Sequence, residues 1–449
     1  MTDTSTTSEP PHAPLKREIG VCGAVMMGLG SIIGTGVFVS IGIAAGAAGP
    51  AVVLAIALAA VVAACNGLSS AQLAANHPLS GGTYEYGYRW LHPALGFTAG
   101  WMFLCAKSAS AATAALGFAG YALSVTGDGH ETRLVPLAVA VVVLLTAIVA
   151  TGIRRSNATN IAIVSVTLFS LAAFVLAGLP TALARGMENW VPFFGGADNP
   201  PRAGGGLGRL GGFLEACALM FVAYTGYGRI ATLGEEIREP RRNIPRAIVV
   251  TLLATMAFYV AVGFVAVAAV GAERLSAVGT ERAAPLEVAA RAFHLPAVAA
   301  IVSIGAVAAM LGVLLNLILG LSRVMLSMGR RGDMPGLFAG VRESTGTPLP
   351  AVLAVGLAIA GLALVGDVRT TWSFSAFTVL VYYAITNLAA IRLSDSERLY
   401  PRWIAWAGLC SCGFLAFWVE PRIWMVGLGM IAAGLIWHGV ATRLRGRVT

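Results

Sequence analysis

The sequence predicts an all-α polytopic membrane protein: twelve transmembrane helices, a 5+5 inverted repeat with broken helices 1 and 6, plus two C-terminal helices. Three observations predict it. The 449 residues are 57% hydrophobic and 11% charged, with mean hydropathy +0.79, far from the roughly 25% charged residues of soluble domains. Apolar segments of about 16 to 32 residues recur twelve times, around the roughly 20 that a bilayer crossing takes. Two of them, five helices apart, carry glycines and hydroxyls at mid-depth, the pattern of repeats that cross at a central site.

The first segment, about Gly20 to Ala48, contains four glycines and two hydroxyls in the stretch Gly28 to Gly36 (GLGSIIGTG). Glycine costs about 1 kcal/mol against alanine inside a helix, so this cluster favours a break. Backbone groups freed there are tolerated only against protein or a wet cavity. The alternative is a seam where small residues let another helix pack closely. The next segments, Pro50 to Leu73, Ala94 to Val125, Leu134 to Gly152 and Asn157 to Leu179, are continuous. The sixth, Gly212 to Leu233, repeats the interruption as Phe221 to Arg229 (FVAYTGYGR), and this pairing favours a site over a seam. Six more follow, at Ala247 to Val270, Ala297 to Ser322, Pro350 to Val365, Trp372 to Ile391, Trp403 to Val419 and Ile423 to Val440.

The organisation is therefore a cytoplasmic tail (1–18), a first five-helix repeat (19–179), an external loop (180–211) and a second repeat (212–392). Helices 11 and 12 (393–441) and a short cytoplasmic tail (442–449) complete it. The polar, Pro/Ser/Thr-rich start lacks the basic-then-apolar order of a signal peptide and reads as disordered. Asn76 to Pro93 reads as an interfacial cytoplasmic loop, and Pro285 to His294 as a short amphipathic helix outside the membrane. The glycine run Gly204 to Gly208 lacks the ending of a phosphate loop and follows no strand, so it reads as a flexible connection.

Formal charge is +9. With both termini inside the cell membrane, about 19 Arg/Lys fall in cytoplasmic segments, about 9 outside and two within the membrane. That asymmetry follows the positive-inside rule and removes the case for nucleic acid. Six cysteines without paired spacing point to neither disulfides nor a metal, and no cofactor is expected.

The motifs SIIGTGVF (Ser31 to Phe38), PLSGGTYEYGYRW (Pro78 to Trp90), AYTGYGR (Ala223 to Arg229), EEIREPRRNIPRAI (Glu235 to Ile248) and LSRVMLSMGRRGDMP (Leu321 to Pro335) occur in one order along nearly the whole chain. Together they resemble the amino acid, polyamine and organocation permeases. The resemblance implies the ten-helix inverted repeat of the bacterial leucine transporter with two added helices, and transport of amino acids or related amines. The bilayer and a small-molecule substrate are the expected partners.

A helix break exposes the N–H groups of its second half and the carbonyls of its first. Amides near Gly34, Thr35 and Gly36 would meet a substrate carboxylate. Carbonyls near Ile32, Val222 and Thr225, with the Ser31 hydroxyl and the backbone at Gly226, would meet its ammonium, as matching positions of relatives do. The alternative for Ser31 and Thr35 is a hydroxyl satisfied by its own helix. Tyr224 and Tyr227 are candidate lids, or packing residues. The resemblance places Ser110 beside the substrate, and Asn316 is expected either there or in a hydrogen bond between helices. Where many relatives carry an acid in the sixth span stands Gly228, followed by Arg229, which argues against a strongly cationic substrate.

Lys107 lies in the third span, where a charge is expensive and by default functional. Only Lys16 and Lys107 are lysines; every other basic residue among the 30 is arginine. Lysine, unlike arginine, can lose its proton when buried, so Lys107 is the candidate for proton coupling; the alternative is a stem that snorkels or bonds carbonyls. In some proton-coupled relatives a lysine stands on the fifth span; the matching position here is Thr167. Three schemes stay open: titration of Lys107, sodium held by carbonyls and hydroxyls, or exchange without an ion. Glu235, Glu236 and Arg238 read as a cytoplasmic gate, with Arg89 or Arg330 as partners, against a plain solvated loop. No repeated filter suggests a channel and no dyad suggests an enzyme. An exchanger and a non-transporting amino acid sensor are the remaining alternatives.

Overall fold

The computed structural model describes residues 19–78, 81–126, 131–152, 157–195, 206–232, 237–281, 283–342, 345–365 and 367–445. Among them the chain is helical, with only two isolated β-bridges. The N-terminal tail, the glycine run to 205, Glu235, Glu236 and residues 446–449 lie outside the described residues.

The first span runs in three pieces, α1 (Val21–Ile32), α2 (Thr35–Phe38) and α3 (Ser40–Ala48). Ile33 and Gly34 are extended rather than helical, and the next closed turn begins only with Val37 N–H on the Gly34 carbonyl at 3.1 Å. The chain reverses at Gly49–Ala51, where Gly49 has φ +67, a value that favours glycine. α4 (Val52–Asn76) then returns across the bundle.

The expected loop after α4 contains a helix instead, α5 (Thr83–Trp90). Gly81 and Gly82, both at positive φ, break the chain ahead of it, and Tyr84 and Tyr86 are buried against the bundle, so tertiary packing overrides the turn-rich composition. α6 (Pro93–Thr126), α7 (Leu134–Ala150) and α8 (Asn157–Arg185) complete the first half. α8 continues through Pro180, past its expected end, which shortens the connection to the sixth span.

The sixth span divides into α9 (Gly206–Tyr224), a 3₁₀ turn at Thr225–Tyr227, and α10 (Gly228–Thr232). α11 (Pro240–Val270) follows, then two short helices, α12 (Ala272–Glu281) and α13 (Pro285–Arg291). α12 packs on α3, a contact the sequence pattern did not suggest. The α13 segment is helical as expected, yet Leu286, Glu287, Ala289 and Ala290 are all buried. α14 (Pro296–Arg331), α15 (Leu349–Ala363), α16 (Val368–Ile391), α17 (Arg402–Ala416) and α18 (Pro421–Arg445) complete the chain. Asp367 caps α16 by accepting from Arg369 and Thr370 N–H at 3.0 and 3.1 Å.

Eight described helical stretches are long and apolar enough to cross a membrane, and α1, α7 and α15 are shorter apolar helices. α6 lies at the centre, against α14 and α16, while α4 packs on α11. α17 and α18 sit at the edge and expose Trp403, Trp406, Phe414 and Trp437. Such an outer face suits lipid rather than water.

Candidate functional site

The interruptions of the first and sixth spans meet face to face. A Cβ built on Gly226 would lie 2.6 Å from Ile32 N and closer still to the Ser31 carbonyl; one on Gly36 would lie 2.5 Å from the Ala223 Cβ. These glycines therefore set the approach of one interruption to the other. Gly34 meets the next wall, where a Cβ would lie 2.6 Å from Val313 Cγ2.

Between the two interruptions lies a small cavity. Ser31, Ile32, Thr35 and Gly36 line it from the first span, and Val222, Ala223, Thr225 and Gly226 from the sixth. Lys107 and Ser110 on α6, Val313 and Leu317 on α14, and Trp372 on α16 close the remaining walls.

Lys107 is buried, and its Nζ donates to Thr225 Oγ1 at 2.8 Å; that hydroxyl passes its own proton to the Val222 carbonyl at 2.7 Å. Among the described residues no carboxylate pairs with Lys107. Thr35 Oγ1 is buried and has no hydrogen-bond partner among the described residues. Ser31 Oγ donates to Met27 O at 2.9 Å, so its hydroxyl is held by its own helix. Ser110 Oγ lies 2.7 Å from Ser375 Oγ, joining α6 to α16. The lining thus combines one amino group, four hydroxyl side chains and an apolar remainder, without an acid.

Several expected site residues sit elsewhere. Tyr224 is fully buried, packs on Tyr259 and donates to the Ile56 carbonyl at 3.2 Å, away from the cavity. Tyr227 is equally buried, its ring 5.4 Å from that of Tyr383. Neither is a lid in this conformation, because each ring is held between helices behind the interruption. Asn316 does not line the cavity; Val313 and Leu317, one turn apart on α14, occupy that face. Thr167 donates to Ile163 O at 2.8 Å within its own helix.

The freed carbonyls also differ from expectation. Tyr259 Oη on α11 lies 2.9 Å from the Ile32 carbonyl and 3.4 Å from that of Ala223, so one hydroxyl touches both interruptions. Tyr383 Oη on α16 donates to the Thr225 carbonyl at 3.1 Å. Carbonyls expected to wait for an ammonium are therefore already partnered, each with one lone pair still to offer. The sequence signal for these tyrosines was their place within apolar spans, where a buried hydroxyl needs an acceptor. Tyr259→Phe is expected to destabilise the protein by about 1–3 kcal/mol. A melting curve of the purified variant checks it, and an unchanged midpoint would mean that water replaces the hydroxyl.

At the end of the bundle that carries α5, the described ion pairs join other residues. Arg331 bonds Glu85 at 2.6 Å and lies over the rings of Tyr84 and Tyr88. Burial raises the Glu85 carboxyl above the usual carboxylate range, and Arg331 opposes that shift. Asp333, buried beyond α14, accepts from the hydroxyls of Tyr84 and Tyr88 at 2.7 and 2.6 Å and lies 3.5 Å from His438 on α18. Arg89 instead meets His77 at 3.0 Å, and Arg238 N–H donates to the Ile19 carbonyl at 3.0 Å. Glu235 and Glu236, the acidic half of the expected gate, lie outside the described residues.

Comparison with known proteins agrees with this architecture. The family model described as amino acid permease matches residues 23–437. A protein of Mycobacterium tuberculosis described as an uncharacterized transporter is 41% identical over 427 residues, covering 95% of this chain and 91% of that protein. The methylthioribose transporter of Bacillus subtilis is 28% identical, covering 84% of this chain and 81% of its own. The branched-chain amino acid permease of the same organism is 27% identical, with coverages of 86% and 83%. With a family model spanning nearly its whole length and a relative this similar over nearly all of it, the chain belongs to the amino acid permease family.

Proposed function

We propose that the protein is a secondary transporter for amino acids, working by alternating access to the cavity between the two interruptions. Twelve crossings, formed by two inverted five-helix repeats and two added helices with both termini on the cytoplasmic side of the cell membrane, would place this cavity near the bilayer midplane. The observation that carries the reading is the direct contact of the two interruptions around one cavity that holds a buried amine and an unpartnered hydroxyl.

Each residue then has a task. The amides of Thr35 and Gly36, which precede the first closed turn of α2, face the substrate from one side, and the 3₁₀ turn at Gly226 from the other. Trp372, Val313 and Leu317 bound the apolar end. Lys107 carries the coupled proton, being the one cavity group that can titrate. Arg331 with Glu85, and Asp333 with its tyrosines, hold the cytoplasmic side in this conformation and separate when it opens.

Purified protein in proteoliposomes, offered a panel of labelled amino acids with and without a pH gradient and with and without sodium, should accumulate at least one of them. Accumulation driven by the pH gradient favours proton coupling over sodium. Uptake seen only with unlabelled amino acid inside would favour the exchanger. No uptake and no exchange across the panel would remove the transporter reading.

A further inference from the structure

We infer that Lys107 sets the ligand class of the cavity: a molecule whose carboxylate pairs with the Lys107 amino group and which carries no cationic side chain. The inference rests on the amino acid reading above and narrows it.

Three observations carry it. Lys107 is 9% exposed and among the described residues its Nζ has one hydrogen-bond partner, Thr225 Oγ1, whereas an ammonium offers three donors. Two donors are therefore left for a ligand. Thr35, a lining residue 4% exposed, carries a buried hydroxyl that is unpartnered among the described residues. Lastly, the lining contains no Asp or Glu that could neutralise Lys107 or receive a second cation.

Charge bookkeeping then decides the class. A buried charge is tolerated when it is paired and hydrogen-bonded, and among the described residues no carboxylate pairs with this one. A ligand carboxylate supplies it, accepting from Nζ and from Thr35 Oγ1. The α-ammonium of an amino acid would lie away from Lys107, toward the second lone pairs of the interruption carbonyls. A guanidinium or second ammonium on the side chain would instead enter a small, largely apolar space beside a like charge, with nothing to receive it. Val313, Leu317 and Trp372 offer that end an apolar surface.

The test compares matched ligands on the full-length protein in detergent, read by thermal stabilisation as a function of concentration. L-alanine, L-leucine and L-phenylalanine are each set against the amine left when the carboxyl is removed: ethylamine, isoamylamine and phenethylamine. L-arginine tests the cationic side chain, and methylthioribose a ligand with neither carboxylate nor amine. At least one amino acid should bind, with its amine, arginine and methylthioribose each about tenfold or more weaker. In Lys107→Met, similar in length but uncharged, the preference for acid over amine should shrink to within about twofold. Should that variant fold poorly, Lys107→Gln repeats the comparison, and a full preference for acid over amine in either folded variant overturns the inference. Equal binding of an amino acid and its amine, or tightest binding of arginine or methylthioribose, overturns the inference and leaves the transporter reading standing. If no amino acid binds, the amino acid reading fails, and this inference with it.

Discussion

Gly226→Ala is expected to abolish uptake and to lower the melting temperature, because the new Cβ would enter the backbone of the opposite interruption. The nearest atoms to it are the Ser31 carbonyl and Ile32 N, at separations that real Cβ atoms do not show. Neither can rotate away as a side chain would. The 3₁₀ turn must therefore move off the first span, and overpacking of this kind costs about 1–3 kcal/mol or more. It also opens the contact that gives the cavity its shape. Gly320→Ala on α14 is the control: a Cβ there meets nothing within 4 Å, and alanine favours the helix by about 1 kcal/mol. Wild-type uptake by Gly226→Ala would show that the two interruptions do not touch in the transporting protein. The comparison is cleaner than bulk at Gly36, which lies at the cavity edge and against Ala223, so that a leucine there would block ligand and disturb packing together.

Much of this arrangement was legible in the sequence because its causes are local. Glycines at the middle of apolar segments mark breaks wherever they fall, and the two clusters needed only to be paired to suggest a common site. Ser31, Ile32, Thr35, Gly36, Val222, Thr225 and Gly226 are near neighbours of those glycines, so chain position alone brings them to one cavity. Lys107 stood out because a lysine within a span is expensive.

What escaped depends on helix rotation and on contacts between distant segments. Asn316 and Leu317 are adjacent in sequence and about 100° apart around α14; polarity suggested the former, and packing turned the latter inward. Tyr224 and Tyr227 flank Thr225 and Gly226, but a 3₁₀ turn between them sends both rings behind the interruption. Tyr259 and Tyr383 reach the freed carbonyls from other helices, and Asp333 meets α5 and α18 across long sequence separations. Periodicity carries no record of which span faces which. α5 was hidden for a related reason: eight residues make a marginal helix in isolation, and buried Tyr84 and Tyr86 stabilise it through the bundle.

Lys107→Ala and Lys107→Arg are both expected to remove the pH dependence of uptake, and the pair separates two properties of one side chain. Arginine keeps a positive charge and still pairs with a carboxylate, so Lys107→Arg should retain the preference for amino acids over amines. It does not release its proton in a protein, so it cannot carry one across the membrane. Alanine removes both properties and also leaves Thr225 Oγ1 without its donor. The expected results are therefore asymmetric for binding and alike for coupling. With an amino acid gradient as the driving force, Lys107→Arg should still move substrate downhill to the extent that its larger head fits beside Thr225; with a pH gradient alone, neither variant should accumulate substrate. Uptake in proteoliposomes across a pH series, with the internal pH fixed, reads both quantities. Normal pH-driven accumulation by Lys107→Arg would move the coupled proton to another group.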